Sequence, residues 1–217
     1  MGSTNNALNE ENRKCIKKKT RVGWQKEFHQ YDSYGNVLYK YKKDIVDCGI
    51  EKYILYDIDQ RIIGSIEKQS HCNRSEYIFY DENNKVIKSI ELIIGCCTCC
   101  TFNYIFYDID HSIEASIIEK EDNCSRKYEV YDKYNSLINR AELVIRCCEN
   151  GYYNEFDQNL NRVFKIICND NSYNRIFQIF DIDENEVNLT DKTLFNDGFT
   201  KTQQILILKL LFYHKSN

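Results

Sequence analysis

The chain has 217 residues and a net charge of −4, with 29 Lys and Arg against 33 Asp and Glu. That length allows one large domain or two small ones, and the charge balance gives no global basic surface for nucleic acid, which is not an expected partner. No apolar run near Met1 resembles a signal peptide, so the chain is expected on the cytosolic side of a membrane, where its 11 Cys stay mostly reduced.

Residues 1–23 are polar, charged and without hydrophobic period, which predicts a disordered basic arm. Its cations crowd together, with Lys17, Lys18, Lys19 and Arg21 beside Cys15. Met1-Gly2 opens a myristoylation motif, but Asn6 stands where Ser or Thr is needed. Residues 24–217 are read as a single domain.

From Trp24 onward the chain repeats. Each unit is an alternating aromatic and aliphatic run, an Asp, about four polar residues, and a second apolar run. Three copies read Y-I-L-Y-D-I-D-Q-R-I-I, Y-I-F-Y-D-E-N-N-K-V-I and Y-I-F-Y-D-I-D-H-S-I-E. The marker residues are Asp32, Asp57, Asp81, Asp108, Asp132, Asp157 and Asp181, spaced 25, 24, 27, 24, 25 and 24 residues apart. Seven copies in phase define a repeat protein. Aromatic and β-branched residues favour strands, and the Asp and Asn between them are turn formers, so each unit is a hairpin whose Asp side chain sets the turn. Cys48, Cys72, Cys96 to Cys100, Cys124, Cys147 and Cys168 are expected between hairpins.

Seven hairpins give 12 to 14 strands by this count. A meander that long exposes two edges and tends to curl or close. The expectation is therefore mainly β: a closed antiparallel barrel of about 12 strands, wider than about eight strands and so with room inside. A propeller is the alternative, but its blades need about 40 to 50 residues per repeat.

The last stretch supplies a filler. In I-L-I-L-K-L-L-F-Y, Ile205, Leu206, Ile207, Leu208, Leu210, Leu211 and Phe212 are interrupted only by Lys209. A helix over about 199–214, capped by Thr200 or Thr202, would be apolar all round and must be buried all round. A buried strand also fits Ile-Leu-Ile-Leu. As a helix it is short of the about 20 residues that span a bilayer. Barrel and helix explain one another, with Lys209 reaching a mouth of the barrel by snorkelling.

These features together resemble the phospholipid scramblase family and, more loosely, its tubby-like relatives. The resemblance runs from about Lys52 to Tyr213. It rests on Ser89-Ile90-Glu91-Leu92-Ile93-Ile94-Gly95-Cys96-Cys97-Thr98-Cys99-Cys100, similar to the family's C-C-x-C-C block. It rests further on Cys124-Ser125-Arg126-Lys127-Tyr128 with Cys147-Cys148, and on Asp181-Ile182-Asp183 ahead of the apolar segment. The resemblance implies a 12-stranded barrel around a C-terminal helix, palmitoylation of Cys96, Cys97, Cys99 and Cys100, and bidirectional, Ca²⁺-stimulated phospholipid movement. It implies membrane phospholipids of the cytosolic leaflet as partners, with the plasma membrane as location, or the nucleus or cytosol without acylation. The chain has no proline, so partners that read PxxP are not implied.

Chemically, two or more acyl chains at the Cys block would anchor the protein stably. The same thiols offer C-x-x-C spacing, and Cys96, Cys99, Cys147 and Cys148 could form a zinc site. Asp181, Asp183, Glu184 and Glu186 offer oxygens to Ca²⁺, outside any EF-hand pattern. Y/F-D-I-D also recurs at Asp57/Asp59 and Asp108/Asp110 as turn chemistry. The basic arm suits an anionic leaflet or a nuclear address. The four histidines are scattered and no phosphate-cradling loop exists, so no enzyme activity and no small-molecule substrate is expected. The expectation is a membrane-anchored, scramblase-like lipid-interacting protein. The alternatives are a tubby-like phosphoinositide- or protein-binding scaffold without transport, and a zinc-stabilised β-domain.

Overall fold

A computed structural model describes residues 16–18, 27–32, 34–45, 50–95, 100–121, 125–144, 151–170, 175–190, 192–196 and 198–212. The hairpin repeat is its architecture. After a short β1 (Ile16–Lys18), the first copy folds as β2 (Glu27–Tyr31) and β3 (Val37–Ile45), the second as β4 (Ile50–Asp57) and β5 (Ile62–Ser70). The third gives β6 (Arg74–Asp81) and β7 (Val86–Ile94), the fourth β8 (Cys100–Tyr107) and β9 (Ile113–Glu121). The fifth gives β10 (Arg126–Asp132) and β11 (Leu137–Val144), and the sixth β12 (Tyr152–Asp157) and β13 (Arg162–Asp170). The seventh supplies only β14 (Arg175–Phe180) before α1 (Lys201–Phe212).

The marker aspartates make the turns. In each copy the Asp carbonyl accepts the N–H of the residue three positions on, at 2.9–3.2 Å, and that residue has positive φ. The side chain adds to this. Asp57 Oδ1 accepts the Arg61 N–H at 2.8 Å, and Asp132 Oδ1 accepts those of Tyr134 and Ser136 at 2.9 and 2.8 Å. In the first six copies the register slips at the aromatic residue before the Asp, as between Leu55 and Tyr56. That is the turn-plus-bulge hairpin geometry, which deepens the local twist.

The strands β2–β14 form one antiparallel meander, each paired with its neighbours in sequence. This corrects the expected closed barrel of about 12 strands: the hairpin strands alone do not close, because β2 and β14 are not paired with each other. The reason is parity. Six full hairpins and one half make thirteen strands, and in an antiparallel meander of odd number the two edge strands run the same way. They cannot form an antiparallel ladder with one another. The second half of the last hairpin is reduced to an isolated bridge, Phe180 to Glu186. From there Leu189, Leu194 and Phe199 turn into the core and carry the chain to α1. Within residues 1–23, read as an arm without structure, Ile16–Lys18 pairs as β1 with both β14 and β2. Lys19 and Arg21 lie outside the described residues.

The sheet wraps the helix. Side chains alternate along each strand, so Tyr53 and Leu55, Tyr77 and Phe79, Tyr104 and Phe106, and Tyr128 and Val130 point inward. Every apolar residue expected on the helix is buried, from Ile205 through Phe212. The helix is 12 residues long, about 18 Å at 1.5 Å per residue. No helix among the described residues is long and apolar enough to cross a membrane. Phe212 packs edge-on against Tyr53 and Tyr77, with ring centres 4.9 and 5.4 Å away, and the Tyr53 hydroxyl donates to the Leu211 carbonyl at 2.9 Å. That bond satisfies one of the carbonyls a helix end leaves without an intrahelical partner.

Candidate functional site

The outer wall is polar and partnered. Lys52 and the Tyr80 hydroxyl meet on Glu67, Arg74 and Tyr107 on Glu91, and Lys120 and Tyr131 on Glu129. Such ionic ladders across mid-strand do not suit lipid-facing strands, which need an apolar band. The surfaces that could meet lipid are therefore the two ends of the sheet.

One end is the turn rim. The seven Asp turns lie on one side of the meander, and six of them show a large apolar side chain to solvent: Tyr34, Ile58, Ile109, Tyr134, Leu160 and Ile182. Tyr34 is 86% exposed and Tyr134 76%. The expected calcium donors belong to this rim. Asp181 Oδ1 accepts the N–H groups of Asp183 and Asn185, both at 2.9 Å. Glu184 pairs with Lys165 at 2.8 Å and Arg162 at 2.9 Å, and Lys165 foremost holds its carboxyl below the ordinary range. Glu186 sits in the isolated bridge. Among the described residues no group of three or more His, Cys, Asp or Glu is arranged to hold a metal ion.

The other end carries the strand termini that flank the cysteine-bearing connections: Ile45 and Ile50, Ser70 and Arg74, Ile94 and Cys100, Glu121 and Arg126, Val144 and Tyr152. Cys96, Cys97 and Cys99, with Cys147 and Cys148, lie outside the described residues, so the acylation block apart from Cys100, and the alternative zinc set, do too. Cys100 opens β8 opposite Glu121, Cys72 is exposed, and Ile94, beside the block, is 41% exposed.

Inside, the helix is fixed at both ends: by the expected cap Thr200 and by Lys209, and by partners that sequence reasoning did not single out, Glu155, Gln30 and Glu119. Thr200 caps it: its Oγ1 accepts the Gln203 N–H at 3.3 Å while Gln203 Oε1 accepts the Thr200 N–H at 3.2 Å, a reciprocal capping box. The same two residues hold Glu155, fully buried on β12. Its carboxylate accepts from Thr200 Oγ1 at 3.0 Å, Gln203 Nε2 at 3.3 Å and Asn139 Nδ2 at 3.3 Å. Burial dominates these bonds and raises the Glu155 pKa to about 7. Gln30 Nε2 holds the preceding loop through the carbonyls of Leu189 and Lys192, at 3.2 and 2.6 Å.

Near the other helix end Lys209 does not simply reach for water. Its ammonium meets both oxygens of the fully buried Glu119 at 2.5 and 2.6 Å, and the Tyr128 hydroxyl at 3.2 Å. The rings of Phe102, Tyr104 and Tyr128 lie 5.3–5.9 Å from it, within cation–π range. Burial lowers the Lys209 pKa, opposed by Glu119. Tyr104 also donates to Glu119 at 2.9 Å, and Arg126 stands 3.7 Å away.

A signal for the missed residues exists in the repeat. Two positions before each marker Asp the chain has Gln30, Leu55, Phe79, Phe106, Val130, Glu155 and Ile179, an inward column. Gln30 and Glu155 are its polar members, and both tether the segment that leads into the helix. The sequence matches no protein-family model and no curated protein.

Proposed function

We propose that this chain is a peripheral, membrane-anchored lipid-interacting protein of the scramblase-like kind, held at the cytosolic leaflet through acylation of Cys96, Cys97, Cys99 and Cys100. The observation that supports it is a division of surfaces. The apolar helix is spent inside the sheet and the wall is ionic, while the C-C-T-C-C block joins two strand termini beside the exposed Ile94. With the helix enclosed and pinned at both ends, the protein binds and organises lipid from the surface. Movement of phospholipid between leaflets, which the family resemblance implies, is to be assayed in vesicles once anchoring is established. Acyl exchange on protein from cells, with and without hydroxylamine, tests the reading. Thioester label that is lost when the four Cys become Ser, with release of the protein to the cytosol, supports it; no label and unchanged location refute it.

A second reading has its own observation. The ring of exposed apolar turn tips suits a protein-binding scaffold of the tubby-like kind, with the basic arm as its membrane or nuclear address. It predicts that neutralising Arg13, Lys14, Lys19 and Arg21, which spares β1, and not replacing the four Cys, abolishes targeting.

A further inference from the structure

The odd strand count leaves a seam that neither reading uses. β2 and β14 run parallel to one another, and the gap between them is one strand wide, since a single strand pairs with both. That strand, β1, matches Ile16 with Gln30 and Phe177, and Lys17 with His29 and Ile176, antiparallel on each side. It has three residues, against five in β2 and six in β14. The strand that completes the sheet is thus the shortest described. Its connection is long in sequence: eight residues, 19–26, join Lys18 to Glu27, where adjacent antiparallel strands need as few as about two. β1 covers three residues of β2 and two of β14, and an edge strand that loses its cover is a template for another chain.

We propose that the seam is a strand-exchange site, in which the Ile16–Lys18 segment of a second copy replaces β1 and each chain completes its partner's sheet. The argument for this occupant is fit. This chain's own segment meets two parallel-running edges at once, and a swap remakes the same pairings on both, so little is lost by exchange. Eight residues can reach at most about 26 Å at about 3.3 Å per residue, enough to meet a neighbouring copy. The tethered segment keeps an effective concentration on the order of millimolar, so the exchanged dimer gains on the monomer as protein concentration rises.

Sedimentation velocity on the full chain over about a hundredfold range of concentration, up to roughly that effective value, reads the exchange directly. Wild type shows a dimer that grows with concentration. Lys17→Pro removes a ladder N–H from the closed and the exchanged forms alike, so the dimer falls only once β1 leaves both seams, and the emptied seam then takes up the wild-type peptide more tightly. A labelled peptide of residues 11–20, carrying Cys15→Ser to exclude disulfides, is taken up by the wild-type chain and suppresses the dimer. The same peptide with Lys17→Pro binds about tenfold less tightly. If the Lys17→Pro chain fails to fold, the peptide arm decides with wild-type protein. A chain monomeric throughout that takes up no peptide overturns the proposal. So does a dimer indifferent to the peptide, or equal uptake of a scrambled peptide of the same charge.

Discussion

Replacing Glu155 by Gln should make the fold less sensitive to pH. Glu155 is fully buried with three neutral hydrogen-bond donors on it, and burial raises its pKa from 4.5 to about 7. A carboxyl whose folded pKa is raised favours the folded state when protonated. Its contribution is complete below pH 4.5, where both folded and unfolded forms carry the proton, and is lost as pH rises through about 7. At 1.36 kcal/mol for each tenfold change in proton affinity, the loss is about 3 kcal/mol. The substituted amide would keep a carbonyl oxygen for Thr200 and Gln203 and carry no charge at any pH. Urea unfolding of wild type and Glu155→Gln at pH 5 and pH 8 gives the result. The variant should gain about 2 to 3 kcal/mol relative to wild type between the two, and every other titrating group cancels in the difference. An equal stability difference at both pH values would refute the account of Glu155 as a buried carboxylate that resists ionisation.

Three further substitutions probe other parts of the fold. Lys209→Met leaves the Glu119 carboxylate buried without its cation and should cost about 3 kcal/mol by urea unfolding, with a large part restored by adding Glu119→Gln; a double variant no better than the single one would count against the pairing. Gly64→Ala would set a Cβ 2.5 Å from the Tyr80 carbonyl and 2.7 Å from the Phe195 ring, and should lower stability by about 2 kcal/mol; an unchanged midpoint would contradict the close contact. Leu160 sits at φ 65° and is 59% exposed, so Leu160→Gly should stabilise the turn by up to about 1 kcal/mol, seen as a raised Tm; destabilisation would mean that the Leu160 side chain contributes to the fold.

Much of this fold is written locally. The spacing of the Asp residues, the alternation before them and the apolar run at Ile205–Phe212 each reflect an interaction within a few residues or one face, so hairpins, turns and an enclosed helix could be read without coordinates. The thirteen-strand meander could not. F-Q-I-F-D-I-D-E-N-E-V-N-L has the look of a complete hairpin, yet its second arm is drawn off and the chain goes on to bury Leu189, Leu194 and Phe199 inside the wall. Ile16 among cations gives no period at all, and its pairing depends on β2 and β14, two edges drawn from opposite ends of the chain. The polar tethers were half legible. Alternation from Ala115 and Ile117 puts Glu119 on the inner face, but nothing in its neighbourhood names Lys209, 90 residues later, as its partner. The Cys block remains a matter of motif, since its connection lies outside the described residues.

The half-used seventh repeat also bears on how such a chain can change length. Gaining or losing one unit of about 25 residues alters the wall by two strands, or about 10 Å of circumference at about 4.8 Å per strand. Parity is untouched, and the seam beside β1 survives any such duplication. The interior does not share that freedom, because a wider wall would stand away from α1 and empty the contacts of Tyr53 and Tyr77 with Phe212. The helix therefore acts as a gauge: copy number in this architecture is set by the girth of one twelve-residue segment rather than by the hairpins that repeat around it.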